Sequence, residues 1–140
     1  MTVASSTATG TYTITVTGTG GGTTHTTSVS LTVTAATTGS FTIRVSPTSG
    51  YLYQGQSGYA TVITRVSGGF NSAINLSASG VPSGVSYYFY PSATISAPGS
   101  GGEYLVLSVS SNAPLGTYPI TITGTGGGQT HSTVLTFSIY

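Results

Sequence analysis

The sequence predicts an all-β protein: a sandwich of about seven strands, preceded by a lone β-hairpin. Three observations carry that expectation. Thr, Ser and Gly supply half of the 140 residues, and the apolar remainder is mostly Val, Ile, Leu, Tyr and Phe in short alternating runs, as strands require. Turn signals recur at the spacing of an all-β sandwich, and no stretch shows a helical period of any length. The chain also contains its own repeat. Residues 10–27 read GTYTITVTGTGGGTTHTT and residues 116–133 read GTYPITITGTGGGQTHST, with fourteen of eighteen positions identical at a constant offset of 106.

The elements follow in order. Phe41, Ile43 and Val45 alternate in a first strand closed by Pro47, and residues 55–58 form a turn before a second strand at 59–66. Gly68–Gly69 leads through Phe70 to a third strand at 73–78. The loop at 80–84, with Pro82 between two glycines, precedes a fourth strand at 85–90 that stops at Pro91. A wide turn at 98–102 introduces the fifth strand, 104–109. The last two, 118–123 and 130–139, are joined by the glycine run 124–128 as a hairpin connection. Read this way, Ile43, Val62, Leu76, Phe89, Leu105 or Val106, Ile120, Ile122, Leu135 and Phe137 form the core.

The repeat sets the domain organisation. Outside the identical segment the match persists, with Val3 on Val109 and Val29, Leu31 and Val33 on Leu135, Phe137 and Ile139. A period near a hundred residues is the size of an immunoglobulin-like domain. We therefore expect a complete unit at residues 41–140, a linker of small residues at 35–40, and a partial unit at 1–34, a hairpin equivalent to the last strands of a preceding repeat. Residues 1–10 show neither a basic start nor an apolar run, so no signal peptide is read there; Met1 is an added start residue, or the segment was cut from a longer precursor.

Ser46–Pro47, Gly55–Ser57, Gly69–Phe70, the loop Gly80–Val85, the strand start Pro114–Tyr118 and the turn Gly124–Thr133 occur in a definite order and spacing. In that order the chain resembles the bacterial immunoglobulin-like repeats of large secreted and cell-surface proteins, across residues 41–140 and in part across 1–34. The resemblance implies a Greek-key β-sandwich and an extracellular or cell-surface setting. It also implies a role as spacer, stalk or adhesive module rather than as a catalyst.

Charge excludes several functions. Arg44, Arg65 and Glu103 are the only charged residues. Two cations cannot build a phosphate-binding surface, so nucleic acid is not expected as a partner. One carboxylate supplies neither the acid–base pair of a glycosidase nor the oxygen cage of Ca²⁺. No Gly-x-Ser-x-Gly elbow is present, and the glycine runs 18–22 and 124–128 lead into strands, not helices, so they do not cradle phosphate. No apolar stretch is long enough for a membrane-spanning helix, and membrane insertion is not expected. No enzyme, cofactor or metal site is expected, and the absence of cysteine leaves stability to the core.

Four residues read as structural. Tyr118 and its copy Tyr12 each begin a strand after a Gly, the placement of a tyrosine corner whose phenol bonds back to the backbone. His25 and His131 follow the two glycine-rich turns and are read as hydroxyl-bonded side chains packing against them, in preference to metal ligands or bases. The threonine series at 11, 13, 15, 17 and 19 is explained by strand propensity. The Asn75–Leu76–Ser77 sequon lies inside a strand, which lowers its value.

Two surfaces remain as candidates for function. Alternation turns Tyr88 and Tyr90 outward while Val85, Tyr87 and Phe89 face the core, and on the second strand it turns Tyr59 outward while Ala60, Val62 and Thr64 point in. Tyr51 and Tyr53 are also read as outward. Such rings stack on sugars or bury against a neighbouring subunit, so the five tyrosines are candidates for binding polysaccharide or for an interface. The second surface is the hairpin. A two-stranded hairpin alone is marginal in water, and Thr11, Ile14, Val16, Val29, Leu31 and Val33 are candidate assembly residues, with the chain itself as partner and filaments as one outcome.

Overall fold

The computed structural model describes residues 2–4, 6–34 and 39–140, which fall into two compact units, Met1–Thr37 and Thr38–Tyr140. In the first unit, β1 (Gly10–Gly20) pairs antiparallel with β2 (Thr23–Val33). Gly21 and Gly22 close the hairpin with φ of +58° and +77°. A two-residue turn with both residues left-handed matches the twist of the flanking strands, and glycine adopts it without a steric penalty.

The second unit holds nine strands among the described residues: β3 (Ser40–Ser46), β4 (Ser49–Leu52), β5 (Ser57–Ser67), β6 (Ile74–Ser79), β7 (Val85–Tyr90), β8 (Thr94–Ile95), β9 (Gly101–Val109), β10 (Gly116–Gly126) and β11 (Gln129–Ile139). One sheet runs β3-β5-β9-β7 and the other β4-β11-β10-β6-β8. All pairings are antiparallel except β4 with β11. Past Ser46–Pro47 the chain leaves the first sheet, and β4 joins the second beside β11.

Nine strands rather than seven is a correction with a simple cause. β4 has four residues and β8 two, too short to show alternation, and each is held by pairing to a neighbour. The glycine run 124–128 is corrected too. β10 continues to Gly126, and only Gly127 and Gly128, at φ +55° and +75°, make the turn. Gly124 is a strand residue, paired with His131 and Leu76, and it is glycine because the core leaves no room for a side chain: a Cβ there would lie 3.1–3.3 Å from Ile74, Phe41 and Ile43. Of the stretch read as linker, residues 35–38 lie outside the described residues. Gly39 and Ser40 belong to the second unit's edge, where the Gln129 amide donates to Gly39 O (2.6 Å) and Ser40 Oγ donates to its Oε1 (2.8 Å).

The two sheets enclose one apolar core. Phe41, Ile43, Val45, Val62, Leu105 and Leu107 meet Ile74, Leu76, Ile120, Ile122, Leu135, Phe137 and Ile139, all buried. Thr64 is the buried polar residue among the described residues, and its hydroxyl donates to Gly99 O at 2.6 Å, which offsets the cost of burying it. One alternative among the core expectations is resolved and one expectation is met only in part. Val106 faces outward, leaving Leu105 as the inward residue, and Phe89 is only partly buried because β7 is an edge strand.

Candidate functional site

The first candidate surface is the face of the hairpin. Its eleven cross-strand pairs, from Gly10↔Val33 to Gly20↔Thr23, recur in the second unit from Gly116↔Ile139 to Gly126↔Gln129, each at the offset of 106. Equivalent positions therefore share a face in both. In the second unit that face is core: Ile122 and Leu135 are 0% and 2% exposed. On the hairpin their counterparts, Val16 and Val29, are 54% and 53% exposed, and Ile14, Leu31 and Val33 are partly exposed. Thr2, Val3, Ala4 and Thr7 border a shallow hollow with Tyr12, Ile14, Leu31 and Val33, so the segment before β1 lies along one end of this face.

Thr11 does not belong with these residues. Pleating puts it on the opposite face, with Thr32, whose hydroxyl is 3.5 Å away. The hairpin's outer edges are unpaired among the described residues, whereas β10 and β11 continue to β6 and β4. Tyr12 donates its phenol hydrogen to Ala8 O at 2.8 Å, and Tyr118 to Pro114 O at 3.1 Å; the corner itself is duplicated.

The five candidate tyrosines separate into two groups, each completed by a tyrosine that the sequence reading passed over. On the outer face of β5-β9-β7, Tyr59, Val106 and Tyr88 form one row across the sheet. Tyr104 and Tyr90 form the next row, and the ring of Tyr59 meets that of Tyr104 edge-on at 5.2 Å. Together they line an open apolar shelf, with the four tyrosines 44–69% exposed. Tyr104 was missed because it opens the run Tyr-Leu-Val-Leu, whose inward parity the sequence leaves open.

The second group lies beside the β4–β11 pair. Tyr51, Tyr53 and Tyr140 form a triangle of rings with centroids 5.9–6.2 Å apart, all exposed. Register brings Tyr140 there, since β4 runs parallel to β11 and Leu52 O accepts from Tyr140 N. Tyr87, read as inward, is 39% exposed at the edge strand and spans the gap to the other sheet, donating to Ala78 O at 2.9 Å.

The histidines differ between copies. His131 packs edge-on against Phe41 with centroids 4.7 Å apart, and its Nε2 lies 3.3 Å from the Gln129 amide oxygen, so its partner is an amide and not the hydroxyl read from sequence. The hairpin has Thr23 in place of Gln129, and His25 is exposed there. Among the described residues no three acidic, His or Cys side chains come together as a metal site. Glu103 accepts from Ser92 N at 3.2 Å. Asn75 accepts from the Thr94 hydroxyl at 2.9 Å, which ties β6 to β8. No helix is long and apolar enough to cross a membrane among the described residues.

No protein-family model and no curated protein matches the chain. Among solved structures, domains 4 and 5 of the S-layer protein SbsC are similar over 94% of this chain and 65% of that one, at TM-score 0.50 and 16% identity. A family 123 glycoside hydrolase from Clostridium perfringens, studied for glycolipid glycan hydrolysis, is similar over 72% of this chain and 27% of that one, at TM-score 0.52 and 10% identity. At such identities the likeness is one of fold, and the chain spans under two thirds of either structure's length.

Proposed function

We propose that the chain is a non-catalytic structural module of an extracellular repeat protein, an immunoglobulin-like unit that acts as a spacer and self-associates through its N-terminal hairpin. The observation that carries this reading is the exposed hairpin face, because the same face in the second unit is core. Covering a Val, Leu or Ile side chain fully is worth about 1.5–3 kcal/mol, so this face favours association. Contact between a hairpin and a different surface of the next copy is head-to-tail, and such contacts extend into filaments when the rotation does not close. Three charged residues in 140 offer little like-charge repulsion against close packing. The likeness to domains of an S-layer protein supports a cell-surface setting.

Sedimentation velocity and negative-stain microscopy test the reading. The full chain forms concentration-dependent oligomers or fibres, and Val16→Asp with Val29→Asp abolishes them. A chain that stays monomeric at high concentration refutes it.

The shelf of Tyr59, Tyr88, Tyr90 and Tyr104 favours a second reading, a carbohydrate-binding module. It offers four rings and their hydroxyls with no charged residue in its lining, which suits stacking on a neutral polysaccharide. Pull-down on insoluble cellulose and chitin, lost in Tyr88→Ala with Tyr90→Ala, supports that reading; no retention of the unmodified chain removes it.

A further inference from the structure

We infer that hairpin β1–β2 is the closing hairpin of a split sandwich, and that what covers it is strands β3 to β9 from a further copy of this repeat, with β3-β5-β9-β7 over its face and β4 and β6 along its edges. The inference rests on the hairpin being the assembly site and names its partner.

The glycines point to that partner. At Gly124 a Cβ would meet Ile74, Phe41 and Ile43 at 3.1–3.3 Å, and at Gly126 it would lie 2.3 Å from Ala73 O. Those two glycines are demanded by the rest of the unit, by β3 in the facing sheet and by the start of β6 beside β10. Their copies, Gly18 and Gly20, have nothing within 4 Å of the same position. Glycine inside a strand weakens it, so two glycines in open space serve no purpose on the hairpin by itself. They serve one when a layer like that of the second unit is laid over them.

The edges and the corner agree. β10 and β11 are flanked by β6 and β4, and the corresponding hairpin edges are both unpaired among the described residues. Two hairpins stacked face to face would leave those edges open; strands β3 to β9 supply both missing neighbours, β4 and β6, as well as the facing sheet. The Tyr118 corner carries the chain from β9 in one sheet to β10 in the other. The Tyr12 corner is its copy, which places the partner layer on the N-terminal side of the hairpin.

An intact second copy cannot take the hairpin in place of its own β10–β11, which already fills that position with larger side chains, so in the 140-residue chain the hairpin is left to meet other surfaces of its neighbours. Ile122, Leu135, Phe137 and Ile139 stand where the hairpin has Val16, Val29, Leu31 and Val33. Exchange would leave the core underfilled.

The test compares the full chain with one extended by a second copy of residues 39–107 placed directly before Thr2. The readout is amide hydrogen exchange on β1 and β2. Extension is expected to slow exchange at Ile14 and Val29 by about a hundredfold or more, toward the rates of Ile120 and Leu135. Gly18→Ala is expected to be silent in the 140-residue chain and to reverse that protection in the extended one. A further extended chain carries Val16→Ile, Val29→Leu, Leu31→Phe and Val33→Ile, which recreates the second unit's closing face. Protection of that variant's hairpin, with none for the original hairpin, overturns the inference. Equal exchange at the original hairpin with and without the extension also overturns it, even where the 140-residue chain self-associates. Protection by the extension in a chain that does not self-associate supports the inference while refuting assembly of the shorter chain.

Discussion

Tyr118 holds the entry to β10 by donating to Pro114 O, and it packs against the core from a partly buried position. Tyr118→Phe keeps the ring and removes the bond, so it is expected to lower stability by about 1 kcal/mol, read by chemical denaturation. Tyr12→Phe is expected to leave that transition in place, because its corner lies in the other unit. Gly124→Ala is expected to cost about 1–3 kcal/mol by overpacking against Ile74, Phe41 and Ile43, while Gly18→Ala costs nothing measurable in the same assay. At this scale sequence reading reached inward parity on β5 but not partners. Thr64 could be placed inside from the alternation of β5, yet its acceptor, Gly99 O, lies in a distant loop and is set by tertiary packing. Tyr140 could not be grouped with Tyr51 and Tyr53 without the parallel register of β4 on β11.

Long strands were legible because alternation and glycine punctuation agree along them; β7 was read at its observed bounds, 85–90. The short ones were not. β4 and β8 owe their strand conformation to neighbours, and no local pattern in four or two residues announces that. Glycine misled where it had two uses: in Gly127 and Gly128 it permits a turn, and in Gly124 it permits close approach. The paired hairpins allow a controlled comparison. Ile122→Val removes a methylene from a fully buried site and is expected to cost about 0.5–1.5 kcal/mol. Val16→Ile, the reciprocal change at the equivalent exposed site, is expected to leave the denaturation midpoint of the 140-residue chain unchanged at low concentration.

For the molecule as a whole, the duplication was readable from an offset of 106 alone, and with it the expectation that the partial copy exposes its apolar face while the second copy buries its own. Burial is a property of assembled layers, and the two hairpins differ in it although their cross-strand register is the same. With only Arg44, Arg65 and Glu103 charged, association is expected to depend little on ionic strength, so sedimentation profiles at low and moderate NaCl should superimpose. The central claim is that the hairpin face is a surface awaiting a partner. Hydrogen exchange with mass-spectrometric readout, run on the full chain at low and high protein concentration, tests it most directly. The account predicts that peptides from β1 and β2 exchange fast when dilute and slow down as concentration rises, while those from β10 and β11 stay protected throughout. Exchange in β1 and β2 that is independent of concentration would contradict it.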